Sequence, residues 1–143
     1  MTQKKWQAPL DKIDADINIL VVDDEQIMRQ IIGNILKFLG LTKVSYASDG
    51  GAAWLRLQMK PAIDLILLDW NMPKMNGPEL LGMIRKSEDF KNIPVLMITA
   101  EGTREHILKA MEIGATNYVV KPFTPIVIEK KIRRILKEKE ESL

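Results

Sequence analysis

Four short apolar runs, each closed by a polar residue, limit the folds open to this chain. Ile17-Asn18-Ile19-Leu20-Val21-Val22 ends in Asp23 and Asp24, and Leu65-Ile66-Leu67-Leu68 ends in Asp69. Val95-Leu96-Met97-Ile98 ends in Thr99, and Tyr118-Val119-Val120 ends in Lys121. Runs this short and this apolar, separated by helical patterns, read as parallel strands buried on both faces. In an open parallel sheet the ligand crevice lies beyond the carboxyl ends of the strands. The five polar residues should therefore meet along one edge.

The spacing predicts five strand–helix alternations, the mark of a doubly wound α/β sheet. Strands are expected at Asn18–Val22, Lys43–Ala47, Asp64–Asp69, Val95–Thr99 and Asn117–Val120. Helices are expected at Glu25–Leu39 before Gly40, Gly51–Lys60 before Pro61, Pro78–Lys86, Arg104–Ile113 and Pro125–Glu138. Gly40 suits a helix C′ position, and Thr103 suits an N-cap. Residues 1–16 form an N-terminal extension, expected to be mobile. Residues 17–143 form one domain with no output module, and Met1 and the charged tail read as natural ends.

Composition excludes several classes. With no cysteine in 143 residues, disulfides and thiolate metal sites are ruled out. Residues 1–16 lack the apolar stretch of a signal peptide, and no run is long enough to span a bilayer. A net charge of +2 gives no reason to expect nucleic-acid or membrane binding. The expectation is a cytoplasmic monomer.

The chemistry of the edge is narrower still. Three carboxylates at close range need a compensating cation, and hard oxygen donors suit Mg²⁺. Lys121 adds a positive charge against phosphoryl oxygens, and Thr99 can hydrogen-bond one of them. Asp69 can act as a nucleophile that forms an aspartyl phosphate. Each residue also has a plainer role. Asp23 and Asp24 could cap the following helix, Asp69 could shape a turn, and Lys121 could be a solvated lysine. The ensemble favours phosphoryl transfer to Asp69.

Together these residues resemble the receiver domain of two-component response regulators, most closely the single-domain chemotaxis type. The likeness rests on Val21-Val22-Asp23-Asp24, Asp69-Trp70-Asn71-Met72-Pro73 with Gly77, Thr99-Ala100-Glu101, Gly114-Ala115 and Tyr118-Val119-Val120-Lys121-Pro122-Phe123-Thr124. It implies a flavodoxin-like sheet in the order 2-1-3-4-5 and a cis peptide before Pro122. It also implies Mg²⁺ held by Asp23, Asp24, Asp69 and the Asn71 backbone carbonyl. Asp69 would accept a phosphoryl group from a sensor histidine kinase, with Lys121 and Thr99 assisting. Thr99 and Tyr118 would be the switch, Tyr118 turning inwards on phosphorylation, and Asn71 and Glu101 would tune dephosphorylation. The implied partners are that kinase and a flagellar motor switch protein or phosphatase. The protein would be a signalling phosphoacceptor and no enzyme beyond its own phosphorylation and dephosphorylation.

Rival readings differ at particular residues. A flavodoxin-like electron carrier would not place Asp23-Asp24-Glu25 where a flavin phosphate binds. A phosphatase with an aspartyl-phosphate intermediate usually has an acid two residues after its nucleophile, where Asn71 stands. A phosphorelay intermediate shares every site residue and is the runner-up. His106, the only histidine, reads as an exposed helix residue, and Lys130-Lys131…Arg133-Arg134 as the solvated face of an amphipathic helix.

Overall fold

A computed structural model of the chain describes residues 10–142. The strands are β1 (Ile19–Val22), β2 (Val44–Ala47), β3 (Leu65–Leu68), β4 (Val95–Thr99) and β5 (Asn117–Val120). The helices are α1 (Gln26–Phe38), α2 (Gly50–Leu57), α3 (Gly77–Lys86), α4 (Arg104–Ile113) and α5 (Pro125–Glu141). The strands form one parallel sheet in the order β2-β1-β3-β4-β5. This is the expected doubly wound α/β architecture.

Strand periodicity divides the core into two layers. Leu20, Val22, Ile66, Leu68, Val95 and Met97 pack with Ala53, Leu57, Leu80, Leu81 and Ile84 of α2 and α3. Their neighbours Ile19, Val21, Leu65, Leu67, Leu96 and Ile98 face the other way, against Ile32 and Leu36 of α1 and Ile128, Ile132 and Ile135 of α5. Both faces are dry, so these strands read as continuous apolar runs with no polar alternation.

Helix ends are set by local chemistry. The side chains of Asp49, Asn76 and Thr103 accept from the backbone N–H groups of Ala52, Glu79 and His106, capping α2, α3 and α4. Helix α2 stops at Leu57, three residues before the expected Lys60. The backbone tightens there into bonds from Gln58 N to Leu55 O and Met59 N to Arg56 O. The Arg56 guanidinium donates to the carbonyls of Met59 and Pro61, satisfying the chain as it leaves the helix. The half-buried Arg85 of α3 donates to the carbonyls of Gly114 (2.7 Å), Ile93 (2.6 Å) and Lys91 (3.0 Å). Burial lowers its pKa. This clamp ties α3 to the end of α4 and the entry to β4.

The N-terminal extension is described only in part. Residues 1–9 lie outside the described residues, but residues 10–16 are packed on the domain. Ile13 is buried in the α1/α5 layer, and its N–H donates to Leu39 O at 2.8 Å. Arg133 Nη2 donates to the carbonyls of Asp11 (2.7 Å) and Lys12 (3.1 Å). Burying an isoleucine side chain contributes roughly 1.5–3 kcal/mol towards ordering such a segment. The basic run of α5 is correspondingly only partly solvated, since Arg133 also pairs with Glu129 and Lys131 donates to Asn117.

Candidate functional site

Strand register aligns the polar run-ends. Val22 pairs with Leu68 and Thr99 with Val120, so the next residues leave the sheet at the same level. Backbone bonds from Asp69 N to Val22 O (3.0 Å), Asp23 N to Ala47 O (3.1 Å) and Lys121 N to Thr99 O (2.8 Å) hold the strand ends in place.

The side chains converge. Carboxylate oxygens of Asp23, Asp24 and Asp69 lie within 4.8 Å of one another, with Asp24 exposed and the other two buried. Lys121 Nζ donates to Asp23 Oδ2 at 2.7 Å and to Asp69 Oδ2 at 3.4 Å. Asp23 Oδ1 accepts from Glu25 N at 2.9 Å, and Asp69 Oδ1 from Trp70 N at 2.7 Å. The N-cap of α1 is Glu25 and makes no side-chain cap bond, so neither Asp23 nor Asp24 is spent on capping that helix. Thr99 is buried beside them.

Electrostatics follow from burial. Desolvation raises the pKa of Asp23 despite the opposing bonds from Lys121 and Glu25. For Lys121, burial pulls the pKa down, but the hydrogen bond to Asp23 and the charges of Asp69 and Asp23 outweigh it, and the net shift is upwards. One ammonium among three carboxylates leaves net negative charge in a recess. A hard divalent cation fits such a donor set of carboxylate oxygens.

The backbone around Asp69 is shaped by its neighbours. Lys74 in the β3–α3 turn holds a φ of 64°, and Gly77 N donates to Trp70 O at 2.9 Å. The Lys121-Pro122 peptide is cis, as is Lys60-Pro61.

The switch residues are linked through Glu101. Its backbone N–H donates to Thr99 Oγ1 at 3.4 Å, and its carbonyl accepts from the Tyr118 hydroxyl at 2.5 Å. Its carboxylate accepts from Asn71 Nδ2. Tyr118 is thus turned inwards and buried. His106 corrects the expectation of a plain exposed helix residue. Its ring stands edge-on to Trp70, centroids 5.2 Å apart, and its Nε2 lies 3.6 Å from Glu101 Oε2. No sequence motif pointed to this contact, because the β3–α3 and β4–α4 loops meet only in the folded chain.

Burial and the charges of Glu101 and Asp69 push the Tyr118 hydroxyl up to about 12 from its ordinary 10.0. A phenol whose folded pKa is raised contributes stability below its unfolded pKa and loses it as pH climbs through the folded value. In a Tyr46→Phe protein, where Tyr118 is the remaining tyrosine, phenolate absorbance after rapid pH jumps should therefore rise near pH 12. Stability should fall across the window from 10 to about 12. Ionisation at the ordinary value would mean that the hydroxyl faces solvent.

Known proteins resemble this chain over most of its length. The family model described as the response regulator receiver domain matches residues 19–133. Chemotaxis protein CheY1 of Helicobacter pylori is 42% identical over 120 residues, covering 84% of this chain and 97% of that protein. Chemotaxis protein CheY of Pseudomonas aeruginosa is 45% identical over 119 residues, covering 83% and 95%. Among solved structures, chemotaxis protein CheY4 of Vibrio cholerae superposes with a TM-score of 0.77 at 36% identity, covering 84% of this chain and 98% of that one. The CheX-CheY-BeF3-Mg+2 complex of Borrelia burgdorferi gives a TM-score of 0.78 at 29% identity, covering 84% and 89%.

Proposed function

This chain belongs to the response regulator receiver family, and we propose on that footing that it is a phosphorylation-activated switch of the chemotaxis type, with Asp69 as its phosphoacceptor. The observation that carries the reading is the convergence of the Asp23, Asp24 and Asp69 oxygens within 4.8 Å, with Lys121 in contact with two of them. An Asp69 carboxylate oxygen attacks the phosphorus of a kinase phosphohistidine. The P–N bond breaks, an acyl phosphate forms, and the imidazole leaves. Lys121 offsets charge on the transferring oxygens, and Thr99 hydrogen-bonds one of them. Asp23, Asp24, Asp69 and the Asn71 carbonyl would hold Mg²⁺, which supplies further charge neutralisation there. The protein is a signalling phosphoacceptor, with no separate substrate to turn over.

Output follows from charge. A phosphoryl group adds roughly −1.5 to −2 charges beside Thr99 and biases the face built by α4, β5 and α5. That face carries the exposed apolar side chains Leu108, Met111, Val120 and Ile126, suited to a protein partner. The partner we propose is a flagellar motor switch component.

The test is affinity capture from the source cell's extract with and without fluoroberyllate and Mg²⁺, fluoroberyllate standing in for the phosphoryl group on Asp69. Activation-dependent recovery of a flagellar switch component supports the chemotaxis output. Recovery of histidine phosphotransfer proteins alone moves the protein to a relay role. Mg²⁺ alone should raise the melting free energy by about 1.4 kcal/mol at tenfold its dissociation constant, and a chelator should reverse that. No response to Mg²⁺ would count against the metal reading.

A further inference from the structure

We propose that His106 is a positioning residue for resetting the switch: it holds Glu101 against Asn71 and so closes the Asn71 side of the site to water. The proposal rests on the phosphoacceptor reading of Asp69 and adds to it a residue that none of the motifs contains.

Trp70 and Asn71 follow Asp69 directly and belong to the loop after β3. Glu101 and His106 belong to the loop after β4 and to the first turn of α4. Two contacts bridge these loops: Asn71 Nδ2 donates to Glu101 Oε1, and the His106 ring packs edge-on against Trp70. Within the second loop, His106 Nε2 faces the other Glu101 oxygen at 3.6 Å. One carboxylate thus lies between the Asn71 amide, which donates to it, and the His106 ring nitrogen, which faces it.

Thr103 orients the ring. Its Oγ1 accepts from the His106 backbone N–H at 3.3 Å and lies 2.6 Å from Nδ1. With that acceptance made, the threonine hydroxyl hydrogen is free to point at Nδ1. The ring proton then sits on Nε2, the nitrogen facing Glu101. The residue that caps α4 therefore also sets the tautomer that attracts the carboxylate. Glu101 is only partly exposed despite its charge, with side-chain exposure of 32%.

In the reset step, a water oxygen bonds to phosphorus and the bond to the Asp69 oxygen breaks. Asp69 regains its carboxylate, and inorganic phosphate leaves with the water's oxygen and shed protons. Water must approach past the side chains beside Asp69. A carboxylate pinned to Asn71 occupies that approach and repels anionic groups. Without His106, Glu101 is held on one side only and swings into solvent.

The experiment labels Asp69 with a small acyl phosphate and Mg²⁺, removes the donor, and follows loss of the phosphoryl group. His106→Ala should shorten the lifetime roughly three- to tenfold, as expected for one weakened charge-assisted contact. His106→Gln, whose amide N–H can reach toward Glu101, should restore most of it. In a Glu101→Ala background, His106→Ala should change the lifetime less than about twofold. Thermal melts of each variant establish that it is folded. An unchanged lifetime in His106→Ala, no rescue by Gln, or equal acceleration without Glu101 would overturn the proposal. Failure of the wild-type protein to take label at all would instead overturn the phosphoacceptor reading, and this inference with it.

Discussion

Asp69→Ala should take up no phosphoryl group from a kinase phosphohistidine or a small acyl phosphate, read as the absence of the corresponding mass gain. Its side chain is the only carboxylate of the three that both contacts Lys121 and leaves the sheet at the end of β3, where donor phosphorus can approach beside Thr99. Asp23 holds Lys121 more tightly, at 2.7 Å against 3.4 Å for Asp69, and also accepts from the backbone of Glu25, and Asp24 makes no contact with the ammonium among the described bonds. Neither can substitute as nucleophile. The loss should come without loss of fold. Removing Asp69 relieves repulsion between buried carboxylates and leaves Lys121 its shorter bond, at 2.7 Å, to Asp23. The melting temperature without Mg²⁺ should therefore be equal to or above that of the wild type. Stabilisation by Mg²⁺ should shrink, because one ligand is gone. Persistent phosphorylation of Asp69→Ala would place the acceptor elsewhere, and a cooperative loss of fold would mean that the carboxylate is structural.

Gly77→Ala should be the most damaging single methyl group that can be added near the site. A Cβ built there lies 2.2 Å from the Asp69 carbonyl oxygen and 2.9 Å from Trp70 Cα. Both obstacles are backbone and cannot rotate aside. Gly77 opens α3 and is tied to Trp70 O by its own N–H, so the β3–α3 connection must shift as a unit. Overpacking of this kind costs about 1–3 kcal/mol and occasionally more. A displacement of Asp69 by an ångström can slow phosphoryl uptake by about a hundredfold. Denaturant melts and the initial rate of labelling give the two readouts. Gly82→Ala, in the same helix with nothing within 4 Å of its built Cβ, is the control. It should be neutral or stabilising by roughly 0.5–1 kcal/mol through helix propensity. Equal tolerance of both substitutions would refute the close-approach account of Gly77.

The elements and the site were legible to different depths. Val95–Thr99, Arg104–Ile113 and Asn117–Val120 have the bounds their patterns indicate; Val95–Thr99 is buried throughout, and the helix lies between Thr103 and Gly114. The end of α2 was misplaced because Pro61 marks where a helix must have stopped, whereas Arg56 reaching back to Met59 and Pro61 ends it sooner. The packing of residues 10–16 was not legible for a similar reason. A short polar segment with one isoleucine carries no periodicity, and only the groove between α1 and α5 gives Ile13 a place to bury.

Local sequence was sufficient for everything that depends on strand ends. An apolar run closed by a polar residue projects that residue from the sheet edge, so Asp23, Asp69, Thr99 and Lys121 could be assigned to one site before any coordinates. Contacts between loops were decided by tertiary structure alone. Glu101 meets Asn71, and the Tyr118 hydroxyl finds the Glu101 carbonyl, across sequence separations of 30 and 17 residues. Side-chain pairing at that range follows from how two loops settle on a finished sheet, and no spacing in the chain encodes it.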